Sequence, residues 1–183
     1  HVKEDGELIE SFPYELKERT KNRTQHQGFD NSDVIYLLMP DRFANGDLTN
    51  DSSEDLLEKA DRNNPDGRHG GDIQGIINHL DYLDQLGVTT LGINPLLENN
   101  QEKYTYHGYA ITDFYTIDAR FGNNAKYVKL VNNAHQKDLK VVMDVVLNHC
   151  GINHWWMSDL PSEDWIHQFE EYTQSNFRSP VIT

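Results

Sequence analysis

Three short apolar runs constrain this chain more than any other feature. They are VIYLLM (residues 34–39), VTTLGI (88–93) and VVMDVVL (141–147). Each is too short for a stable helix and rich in β-branched residues, and Pro40 and Pro95 stand just past the first two, so each reads as a strand. Two helical patterns lie between them. Ile73, Ile76, Ile77, Leu80, Leu83 and Leu86 recur at helix spacing, with Asp72 placed to cap the start and Gly87 to stop the end. A second helix is expected at about 124–138, with Val128, Val131 and Ala134 on its apolar face. Strand, helix, strand, helix, strand is the order of right-handed βαβ units in the parallel sheet of an α/β protein. The third run is almost uninterrupted in apolar character, as expected of a parallel strand buried on both faces.

Successive strands start about 54 residues apart, against roughly 30 for an ordinary βαβ unit. The surplus falls after each strand, in residues 41–71 and 96–122. That is the side of the sheet where barrel and open-sheet enzymes keep their sites, and loops of this length are usually functional or disordered. Residues 1–33 are polar and charged without a clear period, and read as a linker or the tail of an upstream domain. Residues 150–183 carry Trp155, Trp156, Trp165, Tyr172 and Phe177 but no strand signal.

Charge narrows the partners. The 183 residues hold 16 Lys plus Arg and 30 Asp plus Glu, a formal net charge of −14. A phosphate backbone is held by clustered Lys and Arg, so nucleic acid is excluded as the main partner. The balance fits a neutral or cationic ligand, or a bound metal cation. No apolar run approaches the ~20 residues needed to span a bilayer. The single cysteine, Cys150, rules out an internal disulfide. The chain begins at His1, which reads as processing or cutting from a longer one, and an exported parent, periplasmic or secreted, is expected, with a cytoplasmic one as the alternative.

Three constellations could carry chemistry. The first runs from Asp41 to Asp51, with Gly70, Gly71 and Asp72 downstream. Asn45, Asp47, Asn50 and Asp51 offer the hard oxygen atoms calcium prefers, around a flexible Gly46. The spacing is not that of an EF-hand, and composition alone favours a solvated, Asx-rich turn. The second is His107, Gly108 and Tyr109, following Tyr104 and Tyr106. Aromatic faces stack on sugar CH groups and imidazole bonds hydroxyls, although the same residues could simply pack the loop. The third is Asp144 with Asn148 and His149. Polar residues ending a buried strand need partners, and Asp144 and Asn148 share a face if the strand continues. A zinc site from His149, Cys150 and His154 matches no standard spacing. Trp155 and Trp156 are more often loop core than a sugar platform.

Four segments together resemble the alpha-amylase superfamily of glycoside hydrolases. They are VIYLLMPDRFANGD, HGGDIQGIINHLDYLDQLGVTTLGINP, YHGYAITDFYTIDARFG and KVVMDVVLNH. The match runs through about residues 34–150 and is most similar to the neopullulanase and cyclomaltodextrinase group. FPYEL, near residue 12, resembles the join from the N-terminal β-sandwich this group often carries.

The resemblance implies an α/β fold, the N-terminal part of a (β/α)8 TIM barrel: its first three strands over 34–149, then the start of the inserted B domain at 150–183. It implies that Asp144 is a structural acid supporting the active-site arginine. His149 would donate to the glucose ring at the cleavage subsite, Tyr109 would stack on that ring, and His107 would sit beside it. Asn45, Asp47, Asn50, Asp51, Gly70 (through its carbonyl) and Asp72 match a calcium site of cyclodextrin-processing relatives. The partner implied is an α-glucan oligosaccharide or a cyclodextrin, and a homodimer is one assembly open to the parent. The family's nucleophile Asp, acid/base Glu and third Asp follow the fourth, fifth and seventh strands. None of the three is expected before residue 183, so this piece alone should not hydrolyse a glucan. A non-catalytic sugar- or calcium-binding module is the competing reading, and a non-catalytic partner subunit a third.

Overall fold

A computed structural model describes residues 2–5, 7–11, 13, 15, 16 and 28–166. The chain divides into two units, 1–30 and 31–183. In the first, β1 (Val2–Glu4) and β2 (Glu7–Glu10) form an antiparallel hairpin, structure that a pure linker would lack. The FPYEL join lies partly outside the described residues, as do Tyr172 and Phe177.

The second unit contains, in order, β3 (Ile35–Leu38), α1 (Pro40–Phe43), α2 (Ile73–Asn78), α3 (Leu80–Gln85), β4 (Thr90–Ile93), β5 (Leu97–Glu98), β6 (Asp113–Ile117), α4 (Asn124–His135) and β7 (Lys140–Met143). The three apolar runs form one parallel sheet in the order β3-β4-β7. Its register runs from Ile35, Thr90 and Lys140 to Leu38, Ile93 and Met143. The ladder extends one step further, with Asn94 N–H donating to Leu38 and Asp144 N–H to Ile93, both at 3.0 Å. Asn94 and Asp144 thus stand side by side at the strands' carboxyl ends. Leu38, Leu91 and Ile93 pack against Ile73, Ile76, Leu80 and Leu83 of α2 and α3 and Leu130 and Ala134 of α4, all buried. Burial of each large aliphatic side chain is worth about 1.5–3 kcal/mol.

The expected first helix is two. Asp72 caps α2 as its composition predicts, accepting from Gly75 N–H at 2.6 Å. At His79, however, the imidazole Nδ1 bonds Gly75 O at 2.8 Å, which is the acceptor its own N–H would use in a continuous helix. The N–H turns to Ile76 instead and the helix breaks, a side chain competing with the backbone. In α4 the buried face is Leu130 and Ala134 with half-buried Tyr127, and Val128 is 57% exposed. Steps of three and four residues follow the helical repeat better than the expected Val128, Val131, Ala134 set.

The third strand is shorter than VVMDVVL. It ends at Met143 because the next donor from β4 would be Pro95, which has no N–H. Asp144 and Asn148 therefore do not share a strand face, and Leu147 is 88% exposed. The 96–122 loop contains its own antiparallel pair, β5 with β6. The aromatic and β-branched residues of DFYTI are the signal for it.

Candidate functional site

The turn carrying Tyr106, His107 and Tyr109 follows β5 and folds back against Asn94 and Pro95 at the end of β4. Residues Thr105–His107 form one 3-10 turn, and Gly108 follows in the left-handed region at φ 85°. A Cβ on Gly108 would collide with the Pro95 carbonyl, so only glycine lets the turn lie against the strand end.

This turn places Tyr109 beside the end of β7, where it is held at three atoms. Its hydroxyl donates to Asp144 Oδ2 at 2.8 Å. Its N–H donates to His107 Nδ1 at 3.0 Å, and its carbonyl meets His149 Nε2 at 2.8 Å. The His107 and Tyr109 rings lie 5.7 Å apart at 33°. The four expected sugar-site residues, His107, Tyr109, Asp144 and His149, therefore form one hydrogen-bonded group at the carboxyl ends of β4 and β7. Burial, reinforced by the bond to Asp144 and its charge, pushes the Tyr109 phenol up to about 12. Burial pushes His107 below its ordinary value, against the opposing charge of Glu58. The group thus presents a neutral phenol and a mainly neutral imidazole at neutral pH, a surface suited to an uncharged polyol. A cleft of about 640 Å³ adjoins His149, lined by Leu97, Phe114, Met143, Val145 and Trp156 among others.

The expected calcium ligands lie on the 45–72 loop. Asn45 and Asp51 meet, Nδ2 to Oδ1, at 2.6 Å, and Gly70 lies against both: a Cβ there would come within 2.8 Å of each. The side-chain oxygens of Asn45 and Asn50 are buried with no partner. Such orphaned oxygens are costly unless something binds them, so this part of the loop fits a hard cation. Asp72 accepts from the N–H groups of Gly46, Asp47 and Gly75, which ties residues 46 and 47 to the helix start and leaves one of its roughly four lone-pair sites open. The Asp47 carboxylate is bonded to Thr49 and Lys126, away from the Asn45–Asp51 contact. Among the described residues no three His, Cys, Asp or Glu side chains gather for a metal, so amide oxygens dominate the donor set. The zinc alternative fails on the same ground: His149 is bonded to Tyr109, and His154 packs between Trp155 and Trp156 at 4.0 and 4.3 Å.

Sequence reasoning missed the buried charges beneath the turn. Arg120 binds Asp118 through Nε and Nη2 at 2.9 and 2.7 Å. Burial opposes ionisation of Asp118, but Arg120 and the charge of Arg68 outweigh it and hold the carboxyl below its ordinary value. Arg68 lies over the Phe121 ring at 4.6 Å and donates to Thr105. Arg42 covers Tyr106 at 4.1 Å. Only Asp118 and Arg120, two residues apart, left a local trace; the other contacts join residues too distant for periodicity to reveal.

Residues 37–179 match the alpha amylase catalytic domain. The beta/alpha-amylase of Paenibacillus polymyxa is 40% identical over 151 residues, 79% of this chain and 12% of that protein. The cyclomaltodextrinase of Thermoanaerobacter pseudethanolicus is 35% identical over 144 residues, 75% of this chain and 24% of that protein. The chain thus spans less than a quarter of either curated relative. The crystal structure of an Anoxybacillus alpha-amylase shares 40% identity at a TM-score of 0.69, over 80% of this chain and 30% of that one. With the parallel β3-β4-β7 sheet and its helices, these matches identify a partial TIM barrel, and the chain belongs to the alpha-amylase family as part of its catalytic domain.

Proposed function

We propose that this chain is part of a retaining glycoside hydrolase acting on α-1,4-glucans, cyclodextrins or pullulan. The observation that carries the reading is the three-point fixation of Tyr109. An aromatic ring held at hydroxyl, N–H and carbonyl is pre-organised to stack on a sugar ring, with little freedom left to lose on binding. In this reading His107 flanks the same sugar, and His149 exchanges the Tyr109 carbonyl for a sugar hydroxyl. Asp144 keeps the Tyr109 phenol oriented and supports an arginine elsewhere in the parent. The catalytic carboxylates come from later strands, and residues 150–183 open the B domain.

A calcium ion is part of the proposal. Asn45, Asn50, Asp51 and the Gly70 carbonyl would hold it, with Asp72 offering its one open lone-pair site; Asp47, engaged by Thr49 and Lys126, stands outside the set. Bound there, it supplies positive charge that ties residues 45–51 to 70–72. The sugar reading is tested in the full-length parent. Tyr109→Ala should lower kcat/KM for a maltooligosaccharide by about 1–3 kcal/mol, and His149→Ala by a similar amount. Unchanged kinetics in both variants would overturn the reading.

A further inference from the structure

Glu58 lies 46 and 47 residues before Tyr104 and Thr105, and its carboxylate takes three donors from them. Tyr104 N–H donates to Oε1 at 3.2 Å, and Thr105 N–H and Oγ1 donate to Oε2 at 2.7 and 2.6 Å. Tyr104 sits at φ 62°, a conformation that non-glycine residues adopt only when something holds it. These two residues open the turn that carries Tyr106, His107 and Tyr109.

Glu58 is itself fixed. Arg120, buried on Asp118, donates from Nη1 to the Glu58 carbonyl at 2.8 Å. On one side, Leu57 N–H donates to Asn100 Oδ1 at 2.9 Å. On the other, the Lys59 ammonium reaches the carbonyls of Ser53, Glu54 and Leu56. Arg68 meets Thr105 through Nη1, at 3.1 Å to Oγ1 and 3.3 Å to the carbonyl. The start of the turn is thus gripped between Glu58 and Arg68, both from the 41–72 loop.

We propose that Glu58 is a positioning residue for the α-glucan site: it fixes the backbone of Tyr104 and Thr105 and so aims His107 and Tyr109 at the sugar. This rests on the reading of Tyr109 as the sugar platform. Glu58 touches no substrate; it acts through the turn, so its effect on binding exists only while the platform does.

The test measures maltoheptaose affinity by calorimetry in the full-length parent with its nucleophile Asp replaced by Asn, so that the sugar is bound and not hydrolysed. Glu58→Ala should weaken binding about tenfold, the equivalent of losing one well-placed contact to the sugar. Glu58→Gln, which keeps one acceptor oxygen, should lose less. Should the alanine variant not fold, Thr105→Val removes one of the three donors and should weaken binding about threefold. Leu83→Val, a core change in α3, supplies a destabilised control whose affinity stays at the wild-type value. The decisive readout is a double-mutant cycle: in a Tyr109→Ala background, the Glu58 or Thr105 substitution should cost little more. Full additivity would assign Glu58 an ordinary structural role and overturn the proposal. If Tyr109→Ala weakens binding and none of the Glu58 and Thr105 variants does, the positioning role is wrong and the platform stands. If Tyr109→Ala leaves affinity unchanged, the platform reading falls and takes this proposal with it.

Discussion

The Tyr109 phenol is where sequence, geometry and ionisation meet in one side chain. It is 38% exposed, yet burial and then Asp144 push its phenol up to about 12, both opposing the phenolate. The sign is fixed: a neighbouring carboxylate disfavours a second negative charge, so removing that charge must lower the value. Asp144→Asn keeps an acceptor for the hydroxyl but not the charge, and the Tyr109 titration should move down toward its ordinary value of about 10. Ultraviolet titration of tyrosinate in Asp144→Asn, with Tyr109→Phe to identify the band, reads it directly. An unmoved band would mean that Asp144 is not the perturbing group. That His107, Tyr109 and His149 stand close together is legible from the HGY and DVVLNH segments through their resemblance; the hydrogen bond from Tyr109 to Asp144 is not. Glu58 and Arg68 are not legible either, because a single charged residue in a polar loop looks like any solvated charge until the fold brings its partner to it.

Helix ends show how much of each element was written locally. After α3, Val88 N–H returns to Leu83 and Gly87 N–H to Asp84, with Gly87 at φ 83°; Leu83 and Val88 are both buried. This is the glycine stop expected from sequence. After α4 the same pair of bonds recurs, Leu139 N–H to Ala134 and Asp138 N–H to His135, but the left-handed residue is Asp138 at φ 56°. With no glycine there, the end of α4 could be placed only approximately. The comparison yields opposite expectations for two substitutions. Gly87→Ala should destabilise by about 1–2 kcal/mol, the cost of a left-handed L-residue. Asp138→Gly should stabilise by a few tenths up to about 1 kcal/mol, because the relieved strain exceeds the added freedom of the unfolded chain. Denaturant melts of both variants check the pair; equal signs would show that the two helix ends are not equivalent. The break at His79 was not legible in advance, since its cause is one imidazole choosing the Gly75 carbonyl, which no periodicity records.

At the scale of the whole chain, periodicity supplied three parallel strands and two helical stretches, while the barrel to which they belong came from the resemblance. The proposed calcium ion should stabilise the fold by about 2.7 kcal/mol at a hundred times its dissociation constant. The melting temperature should rise with calcium and fall with chelator, and Asn50→Ala with Asp51→Ala should abolish the response; indifference of the wild-type chain would overturn the assignment. The purified 183-residue chain should hydrolyse no glucan. Retaining hydrolysis needs a nucleophile and an acid/base carboxylate about 5–5.5 Å apart, and in this family both follow strands later than the third. Four acids among the described residues are already engaged: Asp144 holds the Tyr109 hydroxyl, Asp72 accepts three N–H groups, Asp118 is paired with Arg120, and Glu58 grips the turn at Thr105. Among the described residues β3 and β7 each pair on one side only, and Leu37 on β3 is 74% exposed, so the sheet is open at both edges where a barrel would be closed. The assay is release of reducing ends from starch, pullulan and cyclodextrin, run beside a version extended through the eighth strand. Activity in the extended protein alone is expected. Turnover by the short chain that survives rigorous purification would mean that a carboxylate pair within it can do the chemistry, against the division of roles argued above.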